Sequence, residues 1–267
     1  MLLDVEHIKM KPEQGSSRMF RRFRGRYQRF VAKYSYQRLV TISGRRPMIS
    51  FTFDDFPRSA LLTGGDILRS SGVSGTYYVS LGLAGTITDT GTMFVMEDLQ
   101  AAVKQGHELG CHTFSHCHAW DTDPRSFEMA IVDNRRVLQD IVPGACFKTL
   151  SYPIGVPRAQ TKRRASTYFS CCRGGGQTFN VGEADLNYLS AYFLEQSRDD
   201  IEAIKLIIDK NAEAGGWLIF ATHDVCENPT RWGCTPALFE EVVRYSVKSG
   251  ALNLPVVQAY EALQRKS

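Results

Sequence analysis

The sequence predicts an α/β domain: a parallel sheet with helices packed outside it. Three observations lead there. From Pro47 onward, short apolar runs rich in β-branched and aromatic residues alternate with helical stretches. The alternation recurs roughly seven times, enough for the sheet to close as a barrel. Polar residues, glycines and prolines sit directly after the apolar runs, where the loops at the C-terminal face of such a barrel lie.

The elements follow in order. Residues 1–46 read as an extension, with a polar loop over 13–17 and a segment, 31–42, compatible with either strand or helix. Met48–Phe53 is a buried strand by composition, 60–70 a helical stretch and 76–80 a second strand. A helix over 96–105 opens on Glu97 and Asp98 and stops at Gly106. Residues 108–112 form a short strand, and Asp123-Pro124 opens a helix reaching about Asp140. Strands are expected over 147–152, 168–172 and 217–222, with helices over 201–214 and 236–249. The domain proper is therefore 47–267.

Composition sets limits. The chain has 267 residues, 43% hydrophobic and 22% charged, with a net charge of +4. That suits a globular domain with its own core. Residues 1–11 hold no apolar run before a cleavage site, so no secretory signal is expected. Nor does any stretch reach the ~18 apolar residues of a membrane span. The seven cysteines are odd in number and form no CxxC pair, which reads as reduced thiols in a cytoplasmic protein.

The charge is uneven. Ten Arg and Lys residues lie between Arg18 and Arg46 without one Asp or Glu, interleaved with Phe20, Phe23, Tyr27, Phe30, Tyr34 and Tyr36. The expectation is a solvated face whose aromatics pack on the domain. The alternative is a peripheral membrane or anionic-substrate contact through residues 18–46. Nucleic acid is not expected, because no recognition motif accompanies the charge.

Chemistry-bearing residues cluster at four predicted strand ends: Asp54-Asp55, His112 with His116, Pro153 to Gly155, and His223-Asp224. On a helix, the i, i+4 spacing of His112 and His116 puts both imidazoles on one face. With Asp55 they make a set of two histidines and one carboxylate that leaves coordination positions open for water and substrate. His118 and Cys117 are nearby alternatives. Adjacent side chains after a strand point apart, so Asp54 is free to act as general base on the water beside the ion. His223 is placed to act as general acid. The plainer readings are two surface histidines, a turn carboxylate at Asp54 and a buried structural histidine at 223. Gly174-Gly175-Gly176 reads as a flexible turn that lets backbone approach a ligand, without the ending of a phosphate loop.

These residues resemble the motifs of the polysaccharide deacetylases, carbohydrate esterase family 4. Thr52-Phe53-Asp54-Asp55 resembles the first motif and His112-Thr113-Phe114-Ser115-His116 the second. Tyr152-Pro153-Ile154-Gly155 is similar to the third, and the apolar run ending in His223-Asp224 to the fifth. The resemblance spans about 47–255. It implies a distorted (β/α)7 TIM-like barrel, with Asp55, His112 and His116 holding a divalent metal, usually zinc. It implies Asp54 as base, His223 as acid, and the Ile154 N–H as an oxyanion donor beside the metal. Where that family's third motif begins with Arg, this chain has Ser151; Arg173, at the next strand end, is the candidate substitute. The motif's Tyr is replaced by Ile154. An Asp-Trp fourth motif is absent, with Asp185 a weak stand-in.

The expected function is metal-dependent hydrolysis of a non-peptide C–N amide bond, removing acetyl from an N-acetylated sugar or polysaccharide precursor. The alternatives are hydrolysis of a cyclic amide or ureide and a non-catalytic carbohydrate-binding barrel.

Overall fold

The computed structural model describes residues 14–42 and 46–265, with side chains from Phe23 onward. Residues 1–11 lie outside it. The first described element is helix α1 (Gln14–Tyr34), which absorbs most of the loop expected over 13–17. One glycine in a first turn weakens helix propensity by only about 1 kcal/mol, too little to stop a helix. Strand β1 (Leu39–Ile42) follows, so the undecided segment divides, with Tyr36 at φ 42 turning the chain between the two elements.

The body comprises β2 (Met48–Phe53), α2 (Asp66–Ser70), β3 (Thr76–Val79), the hairpin β4 (Ile87–Thr88) and β5 (Gly91–Thr92), and α3 (Met96–Lys104). Then come β6 (Glu108–Cys111), α4 (Pro124–Ile141), β7 (Thr149–Ser151), α5 (Ala159–Ala165), β8 (Cys171–Arg173), β9 (Gly182–Asp185) and β10 (Tyr192–Phe193). The chain ends with α6 (Ile201–Ala214), β11 (Trp217–Thr222), α7 (Pro236–Lys248), β12 (Leu252–Asn253) and α8 (Val256–Gln264). The helical stretch expected over 60–70 begins as a π-turn at Ala60–Gly65 before α2. A Cβ on Gly64 would meet the Phe53 ring at 3.1 Å, so glycine lets that turn press against β2. The strand expected over 147–152 is confined to β7, and the one over 168–172 starts three residues later as β8.

The main sheet runs β10-β11-β2-β3-β6-β7-β8, all parallel, with β12 pairing the start of β2. Helices cover it, giving the distorted (β/α)7 barrel; the path is open between β8 and β10. Across that gap runs the segment 186–191, which bonds to β8 through Cys172 N–H to Leu186 O (2.7 Å) and Gly174 N–H to Leu189 O (2.9 Å). The extension is stitched on here: β1 pairs antiparallel with β9, Leu39 opposite Asp185.

Strand alternation sorts the interior. Ile49, Phe51 and Phe53 of β2 belong with Leu218 and Phe220 of β11 to the large core under the helices. Phe51 stacks on Phe220 at 5.6 Å and meets Phe239 of α7 edge-on at 5.7 Å. The opposite parity, Trp217, Ile219 and Ala221, fills the barrel with Met48, Cys171, Leu189 and Val256. Here the Trp217 indole N–H donates to Ser50 Oγ at 3.0 Å. At the base, Glu108 accepts from Thr76 Oγ1 (2.8 Å), Thr149 Oγ1 and Val257 N–H (2.9 Å), joining three strands to α8. Burial pushes its carboxyl above the ordinary range.

Helix α1 departs from expectation. Gly25, Gln28, Ala32 and Ser35 turn inward, with Ala32 fully buried, while Phe23, Tyr27, Phe30 and Tyr34 are 55–63% exposed. The aromatics therefore do not pack on the domain, apart from an edge contact of Tyr27 with Trp120 at 6.2 Å. Small residues bring the helix close to the barrel, and the aromatics occupy the other side. The buried Lys162 on α5 holds it, donating to Ala32 O (2.6 Å) and to Asp185, which also accepts from Arg38 N–H (2.9 Å).

Candidate active site

The two-residue period of the strands aims the site. On β2, residues 50 and 52 face the barrel interior, so the next residue of that parity, Asp54, does too. The same alternation carries β6 to His112, β7 to Ser151, β8 to Arg173 and β11 to His223. All of these except Ser151, together with Asp55, His116 and Ile154, line one cavity of about 1130 Å³ at the C-terminal end of the strands. Arg29 and Lys33 of α1, Leu39 of β1 and Glu183 of β9 form its far wall.

Asp55, His112 and His116 converge. Asp55 Oδ1 lies 3.4 Å from His112 Nε2 and 3.0 Å from His116 Nε2, and the three ligand atoms all lie within 4.8 Å of one another. Yet Asp55 Oδ1 is buried without a properly directed hydrogen bond. A buried carboxylate oxygen and two imidazole nitrogens converging in this way are a donor set that fits a divalent cation. The other atoms of these groups are tied back: Asp55 Oδ2 accepts from Thr90 Oγ1 at 3.0 Å, and His112 Nδ1 sits 2.8 Å from Ser151 O. The bond to a carbonyl makes Nδ1 the protonated nitrogen of neutral His112 and leaves the Nε2 lone pair free to face a cation.

The histidine pair does not ride on a helix. Residues 112–118 form a loop in which Thr113 (φ 60) and His116 (φ 50) take left-handed backbone conformations, and that fold brings the rings to 5.0 Å. Asp55 (φ 62), Phe56 (φ 60) and Ile154 (φ 45) are also left-handed. At Asp55 a tight turn, closed by Phe56 N–H to Asp54 O at 2.7 Å, rotates the second carboxylate away from the first. His118 is outside the cluster, its Nδ1 accepting the N–H groups of Trp120 and Asp121; Cys117 bonds instead to Thr113 Oγ1.

Asp54 is held by Arg173. The guanidinium donates to Asp54 Oδ1, and both groups are buried. Arg173 stands opposite Ser151 in the β7–β8 register. The cation thus comes from the neighbouring strand at the same height as the serine. Its carbon lies 4.9 Å from the Tyr78 ring centre and 5.6 Å from that of Phe193. Gly110 makes room, since a Cβ there would come within 2.5 Å of the Tyr78 ring. Burial alone would push Asp54 up, but Arg173, then His112 and His223, outweigh it and hold the carboxyl below the usual carboxylate range. Asp55 likewise lies well below that range, burial being overcome by the imidazoles of His112 and His116 beside it. Burial lowers His116, but Asp55 outweighs it and raises the imidazole above its ordinary value.

His223 is fixed by Trp232, whose carbonyl lies 3.1 Å from Nδ1. Asp224 does not partner it; it clamps its own loop, accepting from Thr230 N–H (2.8 Å) and Thr230 Oγ1 (2.6 Å). Asp185 serves the α1 attachment rather than Asp54. Ile154 is half exposed at the rim, its N–H without an acceptor among the described residues. The glycine run is a packed wall rather than a loose turn: a Cβ on Gly174 would overlap the Tyr188 ring at 2.2 Å.

Glu195, which the sequence reading did not single out, also lines the cavity. Its Oε2 is buried without a partner, and burial with neighbouring Asp54 raises its carboxyl to about 8. It follows the two-residue strand β10, too short to announce itself.

Comparison with known proteins agrees with this architecture. Residues 42–168 match the family model "Polysaccharide deacetylase". No protein of the curated set matches the chain. Among solved structures, a family 4 carbohydrate esterase from Streptomyces lividans is 15% identical, with a TM-score of 0.55 over 78% of this chain and 91% of that one. The chitin deacetylase from the fungal pathogen Colletotrichum lindemuthianum is 14% identical, with a TM-score of 0.58 over 82% and 89%. The peptidoglycan deacetylase PdaC from Bacillus subtilis is 16% identical, with a TM-score of 0.54 over 82% and 92%. Residues 42–168 thus resemble the polysaccharide deacetylases in sequence, and the barrel shares the fold of these solved structures.

Proposed function

We propose that the protein is a divalent-metal hydrolase that removes the acetyl group from the nitrogen of an N-acetylated sugar. One observation carries this reading: Asp55 Oδ1, buried without a directed hydrogen bond, faces two imidazole nitrogens at 3.0 and 3.4 Å. Two histidines and one carboxylate suit zinc. Bound there, such an ion supplies Lewis acidity to the amide carbonyl and acidifies water.

The chain's own groups then divide the work. Asp54, kept ionised by Arg173, takes the proton of the attacking water. The Ile154 N–H donates to the oxygen that gains charge as the carbonyl carbon becomes tetrahedral. Acting as the imidazolium, His223 keeps its Nδ1–H bonded to Trp232 O and gives its Nε2 proton to the departing nitrogen as the C–N bond breaks, ending as neutral imidazole. The products are acetate and the free amine. The carbohydrate class rests on the family match and on the chitin and peptidoglycan deacetylases that share the fold. A cyclic-amide substrate has no comparable support, and a purely binding barrel leaves the aligned base, ion site and acid without a use.

The test measures metal content and acetate release from N-acetylglucosamine oligomers for the wild type, Asp55→Ala and His112→Ala. Both variants should lose bound metal and turnover. Full metal content with full activity in either variant overturns the assignment, and ring opening of a ureide without acetate would transfer the reading to that substrate class.

A further inference from the structure

The outward face of α1 is built the wrong way round for a helix at home on a soluble domain. At about 100° per residue, Phe23, Tyr27, Phe30 and Tyr34 fall within a sector of about 60° and run about 16 Å along the axis. That sector is opposite the small residues packed on the barrel, so the helix turns its apolar side away from the protein. Arg26 and Lys33 border the stripe on one side and Arg24 lies on the other. Of these charges only Arg24 has a carboxylate partner among the described residues, Asp121 at 2.6 Å. No acidic residue occurs between Arg18 and Arg46 to balance them.

We infer that α1 is an interfacial helix that seats the protein on an anionic lipid surface. The aromatic stripe enters the headgroup boundary while the flanking cations meet lipid phosphates. A second copy of the chain would have to match this face with its own equally basic surface, so charge complementarity favours an anionic sheet over self-association. Aromatic rings beside arginines and lysines are the composition of helices that lie in the interface plane. Arg29 and Lys33 also line the cavity, so docking in this way sets the mouth of the site beside the headgroups. The inference does not depend on the deacetylase assignment.

The test is sedimentation of the full chain with vesicles of equal parts phosphatidylglycerol and phosphatidylcholine, and with phosphatidylcholine alone. Wild-type protein should bind the anionic vesicles at about 0.1 M salt, release at about 1 M, and leave neutral vesicles unbound. The triple variant F23S/Y27S/F30S should partition about tenfold more weakly. Its circular dichroism should be unchanged and its melting lowered by a few degrees at most, because these side chains are largely exposed and lose only the edge contact of Tyr27 with Trp120. Asp55→Ala should bind vesicles like the wild type, which separates failure of the docking inference from failure of the catalytic reading. Equal binding by the wild type and the triple variant overturns the inference, as does no binding to anionic vesicles. So does a lipid-free dimer that the triple variant dissociates, or retention of nucleic acid in place of lipid.

Discussion

Arg173 and Asp54 form a buried ion pair, and the proposed reaction draws on it as the fold does. Removing the cation strands a buried carboxylate, so R173M should lose about 3–5 kcal/mol of stability in denaturant titration. It should also move the acidic limb of the pH–rate profile upward. Asp54 is now held below the ordinary range, so its base form persists at lower pH; without Arg173 it protonates sooner as pH falls. R173K, which keeps the charge and loses the fork, should shift that limb less. An unmoved limb in R173M would mean that another group sets it. Glu195 makes the opposite case. Its folded pKa, about 8, exceeds its ordinary 4.5, so the protonated form is favoured in the fold. That contribution is whole below about 4.5 and fades as pH rises through about 8. E195Q, which cannot ionise, should therefore match the wild type in thermal melts near pH 5 and exceed it near pH 9.

Strand β1 is held by its ladder with β9, whereas helix α1 leans on the buried Lys162, which donates to Ala32 O. K162M removes the donor to both Ala32 O and Asp185, and should destabilise by about 3–5 kcal/mol. Limited proteolysis should then cut first between residues 35 and 46; a digestion pattern like that of the wild type would show the attachment to rest elsewhere. At this scale the sequence was a good guide wherever a local signal existed. Met48–Phe53, Ile201–Ala214 and Trp217–Thr222 carry unbroken apolar or periodic patterns, and Asp123-Pro124 is an N-cap signature whose carboxylate does accept the Ser126 N–H at 2.9 Å. The two-residue strands β10 and β12 were illegible, because a period needs more residues than they have. Helix α8 was readable in principle: Val256, Ala259 and Leu263 form a buried stripe after Pro255. The orientation of α1 was not legible, since aromatics usually face a core and here Gly25, Gln28, Ala32 and Ser35 turn inward instead.

Across the whole molecule, the proposed metal ligands Asp55, His112 and His116 stand on loops above two apolar cores that are complete without them. Chelation should therefore leave far-UV circular dichroism unchanged. It should lower the stability, and with it the melting temperature, only by the linkage term, about 2.7 kcal/mol when free ion exceeds its dissociation constant a hundredfold. Loss of helical signal on chelation would mean that the ion is part of the fold. The site as a whole was legible because strand parity projects alternate residues to one rim. Its histidine loop was not, because spacing suggested a helix where backbone dihedrals made the pair. Those dihedrals carry a lasting consequence. Asp55, Thr113, His116 and Ile154 each hold a conformation that costs a residue with a side chain about 1–2 kcal/mol. Natural drift toward glycine at Ile154, half exposed at the rim, would make the protein sturdier and, by slackening the rim, weaken the proposed chemistry. Under selection for thermal endurance alone, that position is where the lineage would first trade function for strength.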